Sequence, residues 1–256
     1  MRKKNGLLVF VSLFLLLTSI MASSIMPIAA QRTVGVHVGD WFEYGNVEFN
    51  WTSNDPNAKP PSEWIEMNET DWMRTTVQEI SGKYYTNITG QMIIHYTNGS
   101  ETTEGYVIDA ETGQGNATTM FILANLVEGD PIYTDPSWAN TRINETILRA
   151  YLGQMVEVNH LNLTILEVEW SGLFHYILRM NLYWFKSTGA LCELQVYYYN
   201  WTAVIIPSMS EALSDGPYES SLTTSMVIVD MIPEFPTWTS IMLILIVLTV
   251  VAVVYK

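Results

Sequence analysis

A mainly β chain, one curved antiparallel sheet with one or two short helices between an N-terminal signal helix and a C-terminal membrane-spanning helix, is the architecture this sequence predicts. Three observations carry it. The two ends of the 256 residues are apolar and the middle is polar and acidic. The middle alternates apolar and polar residues in runs broken by Gly- and Asn-containing turns, the pattern of strands with one buried face. Cys192 is the only cysteine, so no internal disulfide exists, and about 200 residues between the ends suffice for a core without one.

Residues 1–30 read as a signal peptide. Arg2, Lys3 and Lys4 precede an apolar stretch from Gly6 to Ile20, and Ala29-Ala30 offers cleavage before Gln31. The next segment, 31–230, reads as one extracellular β-rich domain, since neither an internal repeat nor a long linker divides it. Residues 231–237 form a Pro-containing linker, and 238–255 a transmembrane helix. From Ile241 to Val254 only Thr249 is polar, and eighteen residues span about 27 Å as a helix, close to the thickness of a bilayer's hydrocarbon. Trp238 and Tyr255 mark its ends, where amphipathic rings favour the headgroups. Basic residues before the first apolar run and Lys256 after the last place both termini in the cytoplasm and the domain outside.

Within the domain, Val38–Tyr44 and Val47–Thr52 around Gly45-Asn46 suggest an opening strand pair, followed by a Pro-rich loop. Thr75–Ile80, Tyr84–Tyr96 and Thr102–Ala110 read as strands joined by turns at Ser81-Gly82 and Asn98-Gly99. Thr119–Leu126 reads as a short helix. Residues 141–157 carry a helical stripe through Ile147, Leu148, Tyr151 and Met155, but their β-branched residues also allow a strand. Phe174–Phe185 and Ala190–Ala203 form a hairpin in which Leu178, Met180, Leu182 and Trp184 share one face. Cys192, Leu194, Val196 and Tyr198 share a face of its partner. Tyr218–Met231 supplies a last strand.

The exported part holds eight basic and twenty-five acidic residues, a net of −17. Such a surface repels nucleic acid and anionic headgroups. Asn-x-Ser/Thr occurs at Asn50, Asn68, Asn87, Asn98, Asn116, Asn144, Asn162 and Asn200, where chance would give about three, and all eight lie in the exported part. The excess points to an N-glycosylated surface.

Signals for chemistry are weaker. The four histidines, His37, His95, His160 and His175, are never paired at ligand spacing. Glu128, Asp130 and Asp135 are the candidates for calcium, though their spacing fits no known loop. Glu167 and Glu169 offer a carboxylate pair on one strand face, the equipment of a glycosidase. No other cofactor is indicated. Paired aromatics such as Tyr183-Trp184-Phe185 place rings on both faces of their strands, one for the core and one free to line a ligand surface.

At Pro233-Glu234-Phe235-Pro236, followed at once by the apolar span, the tail resembles the PEF-type C-terminal sorting tags of archaeal surface proteins, with Lys256 as its basic element. The resemblance covers residues 232–256 and implies handling by a sortase-like membrane transpeptidase. The exported part resembles archaeal secreted proteins more loosely, and beyond them the curved-sheet lipoprotein carriers. The expectation is a membrane-tethered cell-surface protein with a structural, adhesive or ligand-binding role. A tethered hydrolase or an accessory subunit of a membrane transport or secretion complex are the alternatives.

Overall fold

Nine strands form one antiparallel sheet in the computed structural model, which describes residues 32–60, 62–170, 174–202 and 218–232. In chain order they are β1 (Trp41–Ser53), β2 (Thr70–Ser81), β3 (Asn87–Tyr96), β4 (Glu101–Asp109), β5 (Glu145–Tyr151), β6 (Gln154–Trp170), β7 (Phe174–Phe185), β8 (Leu191–Thr202) and β9 (Tyr218–Ile232). Helix α1 (Ser62–Glu69) separates β1 from β2. Two meanders, β1 to β4 and β5 to β9, join where β9 pairs with β1, giving the order β4-β3-β2-β1-β9-β8-β7-β6-β5. The signal peptide, the sorting tag Pro233, Glu234 and Phe235, and the apolar run 238–255 lie outside the described residues. Among those described, no helix is long and apolar enough to cross a membrane.

The connection from β4 to β5 leads from one edge of the sheet to the other and builds the second layer of the core. It buries Phe121, Ile122, Leu126, Ile132, Tyr133 and Ile143 against Phe42, Tyr44, Ile108, Leu182 and Trp184. The helix expected at Thr119–Leu126 is not formed. Thr119 and Asn125 have positive φ, which interrupts a right-handed helix, and the segment bonds to the β7–β8 turn instead: Ile122 N–H donates to Gly189 O and Asn125 N–H to Lys186 O. Trp184 Nε1 donates to Thr119 O, so the backbone groups find partners without a helix.

Two further expectations are settled by backbone geometry. Gly45-Asn46 is not a turn. A two-residue hairpin of type I′ needs φ > 0 at both residues, and only Asn46 has it, so the chain runs on as one long β1 with bulges. Residues 141–157 are strand rather than helix: β5 and β6 pair through Leu152-Gly153, with φ of 52° and 76°, the hairpin geometry that Gly45-Asn46 lacks. The β7–β8 hairpin has the expected apolar face, with Leu182 opposite Leu194, Met180 opposite Val196 and Leu178 opposite Tyr198. At Gly90 a Cβ would lie 2.0 Å from Thr76 O and 2.7 Å from the Tyr106 ring, so the glycine lets Tyr106 lie across β3 with its hydroxyl on Thr76 O.

Candidate functional site

Side chains alternate across a strand, so the residues between the apolar positions of β1 and β6 to β9 form a second, polar surface. Register sets them in three rows. Asn50, Thr223, Tyr197, Arg179 and Thr164 lie in line. Beside them run Glu48, Ser225, Gln195, Asn181 and Asn162, and then Val227, Glu193, Tyr183, His160 and Glu145. The central rows on the opposite face, such as Phe49, Thr224, Val196, Met180 and Leu163, are mainly apolar.

These polar rows are wired together. Glu145 Oε1 lies 2.9 Å from His160 Nδ1, and His160 Nε2 lies 3.2 Å from Asn181 Oδ1. Asn162 Nδ2 donates to the same Asn181 oxygen at 2.8 Å. Gln195 Nε2 donates to Glu193 Oε1 at 2.6 Å, and Tyr151 and Arg149 complete the shell of Glu193, with Arg149 Nη2 at 3.0 Å from Oε2. Tyr183 stacks in parallel on His160 at 4.4 Å between centroids, and the Arg149 guanidinium sits 4.1 Å from the Tyr183 centroid.

Arg149 and Tyr151 belong to β5, three strands from the Glu193 they bind on β8. In a flat sheet that is about 14 Å. The sheet therefore curls, and the curl makes a groove. One part, about 360 Å³, is lined by Glu48, Asn50, Asn181, Gln195, Tyr197, Thr223 and Ser225. The adjoining part, about 610 Å³, shares Glu48 and Ser225 and is walled by Arg149, Tyr151 and Glu193. Burial, with Cys192 and Glu193 nearby, raises the Tyr151 phenol well above its ordinary value, and burial also raises that of Tyr183. Burial alone would disfavour the Arg149 charge, but Tyr151 and Glu193 more than offset it.

Of the calcium candidates, Glu128 is exposed and the other two accept hydrogen bonds. Asp130 Oδ2 accepts from Val127 N–H. Asp135 accepts from the Ser137 hydroxyl and amide and from Gln114, which hold its carboxyl below the ordinary value. No group of three or more His, Cys, Asp or Glu side chains suited to a metal occurs among the described residues. The four histidines stand apart, each beside a different carboxylate: Asp40, Asp71, Glu145 and Glu167. Glu167 is half exposed and faces His175 and Arg179, while the Glu169 side chain lies outside the described set. Cys192 is fully buried, donates to Tyr183 O, and has its thiol pushed up to about 12, chiefly by burial.

All eight sequon asparagines are described and none is buried; Asn87 and Asn200 are half-buried and the other six exposed. Asn50 lines the groove, and Asn162 belongs to its hydrogen-bonded floor. From the sequence, the apolar faces of β7 and β8 and the aromatic rings are legible as candidates, and the polar residues between them carry no separate signal. The same alternation places Arg179, Asn181, Glu193 and Gln195 on that polar face. A scan against protein-family models found no match, and a search of curated proteins found none either.

Proposed function

We propose that the protein is a membrane-tethered, N-glycosylated cell-surface protein, its β domain outside and its C-terminus cytoplasmic, that captures a polyhydroxylated ligand, a saccharide, in the groove. The observation that carries the ligand class is the polar row Glu48, Ser225, Gln195, Asn181 and Asn162 running across five strands beside Tyr197 and Tyr183. Amides and hydroxyls held in place by a network match the donors and acceptors of a sugar, and aromatic rings supply an apolar platform at low entropic cost. The tether rests on the apolar run 238–255 and on the tag-like Pro233, Glu234 and Phe235, whose resemblance brings in a sortase-like enzyme as a processing partner.

A tethered hydrolase is the second reading, because Glu48 and Glu193 both line the groove. Glu193 is already engaged by Arg149, Tyr151 and Gln195, which suits a structural anion better than an acid that must reach a substrate.

The test is binding of full-length protein in detergent to a glycan array, followed by titration of the best ligand. Asn181→Leu and Gln195→Leu should weaken that ligand at least about tenfold while the circular dichroism spectrum is kept. Because Asn50 is a sequon at the groove, the titration is repeated on Asn50→Gln, which should bind as well or better. Array binding that is absent, or indifferent to both leucine variants, would remove the saccharide reading. Release of cleaved glycan, abolished by Glu193→Gln, would favour the hydrolase.

A further inference from the structure

The end of the sheet where β9 leaves it carries an unusual set of exposed side chains. That end also holds the β2–β3 turn (82–86), the β5–β6 turn at Leu152-Gly153, the β7–β8 turn (186–190) and the start of β1, since Trp41 pairs with Ile232 and Val158 with Phe185. Tyr84 and Tyr85 are 67% and 70% exposed, Leu152 41%, Met155 63% and Val38 51%. At the opposite end the described residues show only Ile65 and Val168, each at 37%.

We propose that these turns are a footing that rests in the headgroup layer of the bilayer. The inference rests on the reading of 238–255 as a transmembrane helix. From Ile232 to Trp238 the chain has six steps, which reach at most about 20 Å fully extended. This end of the sheet is therefore held within that reach of the membrane surface. Tyrosines with a cation beside them suit the interface, and Lys83 Nζ lies 5.0 Å from the Tyr84 ring centroid. Leu152 and Met155 supply an apolar edge to the same footing.

Backbone conformation adds an independent sign. Tyr85 and Leu152 have φ of 56° and 52°, the left-handed region in which Asn and Gly are at ease and bulky side chains are strained. A turn facing only water gains nothing from Tyr or Leu there. A turn touching lipid does.

The test uses full-length protein reconstituted into phosphatidylcholine vesicles, with spin labels at Tyr84→Cys, Leu152→Cys, Lys59→Cys in the loop at the far end, and Ile246→Cys within the apolar run. Cys192, buried with a raised thiol pKa, stays unlabelled. Collision with oxygen, which concentrates in lipid, is compared with collision with a water-soluble nickel chelate. The footing predicts an oxygen-to-nickel ratio several-fold higher at positions 84 and 152 than at 59, with 246 highest. Tip labels as water-exposed as position 59, with 246 still in lipid, overturn the footing and leave the span standing. Tip labels shielded from both reagents show a protein cover and also overturn it. Water exposure at position 246 removes the span reading itself. Leu152→Asn, which relieves the turn, should raise the thermal midpoint and yet move the Tyr84 label towards water, two changes of opposite benefit that a purely structural role would not produce.

Discussion

Glu193 is 7% exposed and is bound by Arg149, Tyr151 and Gln195, three donors delivered by two strands that the sheet's curl brings together. Replacing it by Gln keeps the shape and removes the charge, leaving Arg149 without its anion. With Arg149 about a third exposed, solvent screens part of the loss, and a destabilisation of about 1–3 kcal/mol is expected in urea unfolding. Tyrosines make a second prediction at this scale. Burial raises the phenols of Tyr44, Tyr106, Tyr133 and Tyr151 above their ordinary value. The unfolded chain then releases protons near pH 10 while the folded chain keeps them, so this stability is complete below pH 10 and lost as pH rises above it. Thermal midpoints measured from pH 8 to 11 should fall steeply at the alkaline end, and a flat profile would contradict the burial of these rings.

Elements differ in how far the sequence reveals them. β7 and β8 were legible because alternation continues for a dozen residues and Lys186-Ser-Thr-Gly189 marks the turn. Their polar faces were equally written in the sequence but acquire meaning only when register sets Gln195 opposite Asn181 and Asn181 opposite Asn162. The crossover was not legible. Its apolar run Phe121-Ile-Leu-Ala124 has no period that separates a helix from a buried irregular segment, and what decides is Gly189, sixty-five residues beyond Ala124. There φ is 73° and a Cβ would sit 2.0 Å from Ile122 O, so Gly189→Ala should cost at least about 2 kcal/mol by displacing the crossover. Edge strand β4 is guarded by a side chain no pattern announces: Asn116 accepts from Val107 N–H and donates to Gly105 O, standing in for a neighbouring strand. Asn116→Ala should expose that edge, seen as faster amide exchange at Val107 and a greater tendency to aggregate on heating.

The described residues form a sheet with two unlike faces. One is closed by the crossover, and across β1 and β6 to β9 the other presents polar rows and a groove. A net charge of −17 over residues 31–233 favours solubility, and six of the eight sequon asparagines are exposed. All of this has its use only if the domain stands outside a membrane and is held to it. The direct measurement is the intact mass of the protein extracted from its native membranes. The account predicts a chain that begins near Gln31, carries several glycans, and sediments with the membrane until detergent is added. A soluble cytoplasmic chain of unmodified full-length mass would contradict it.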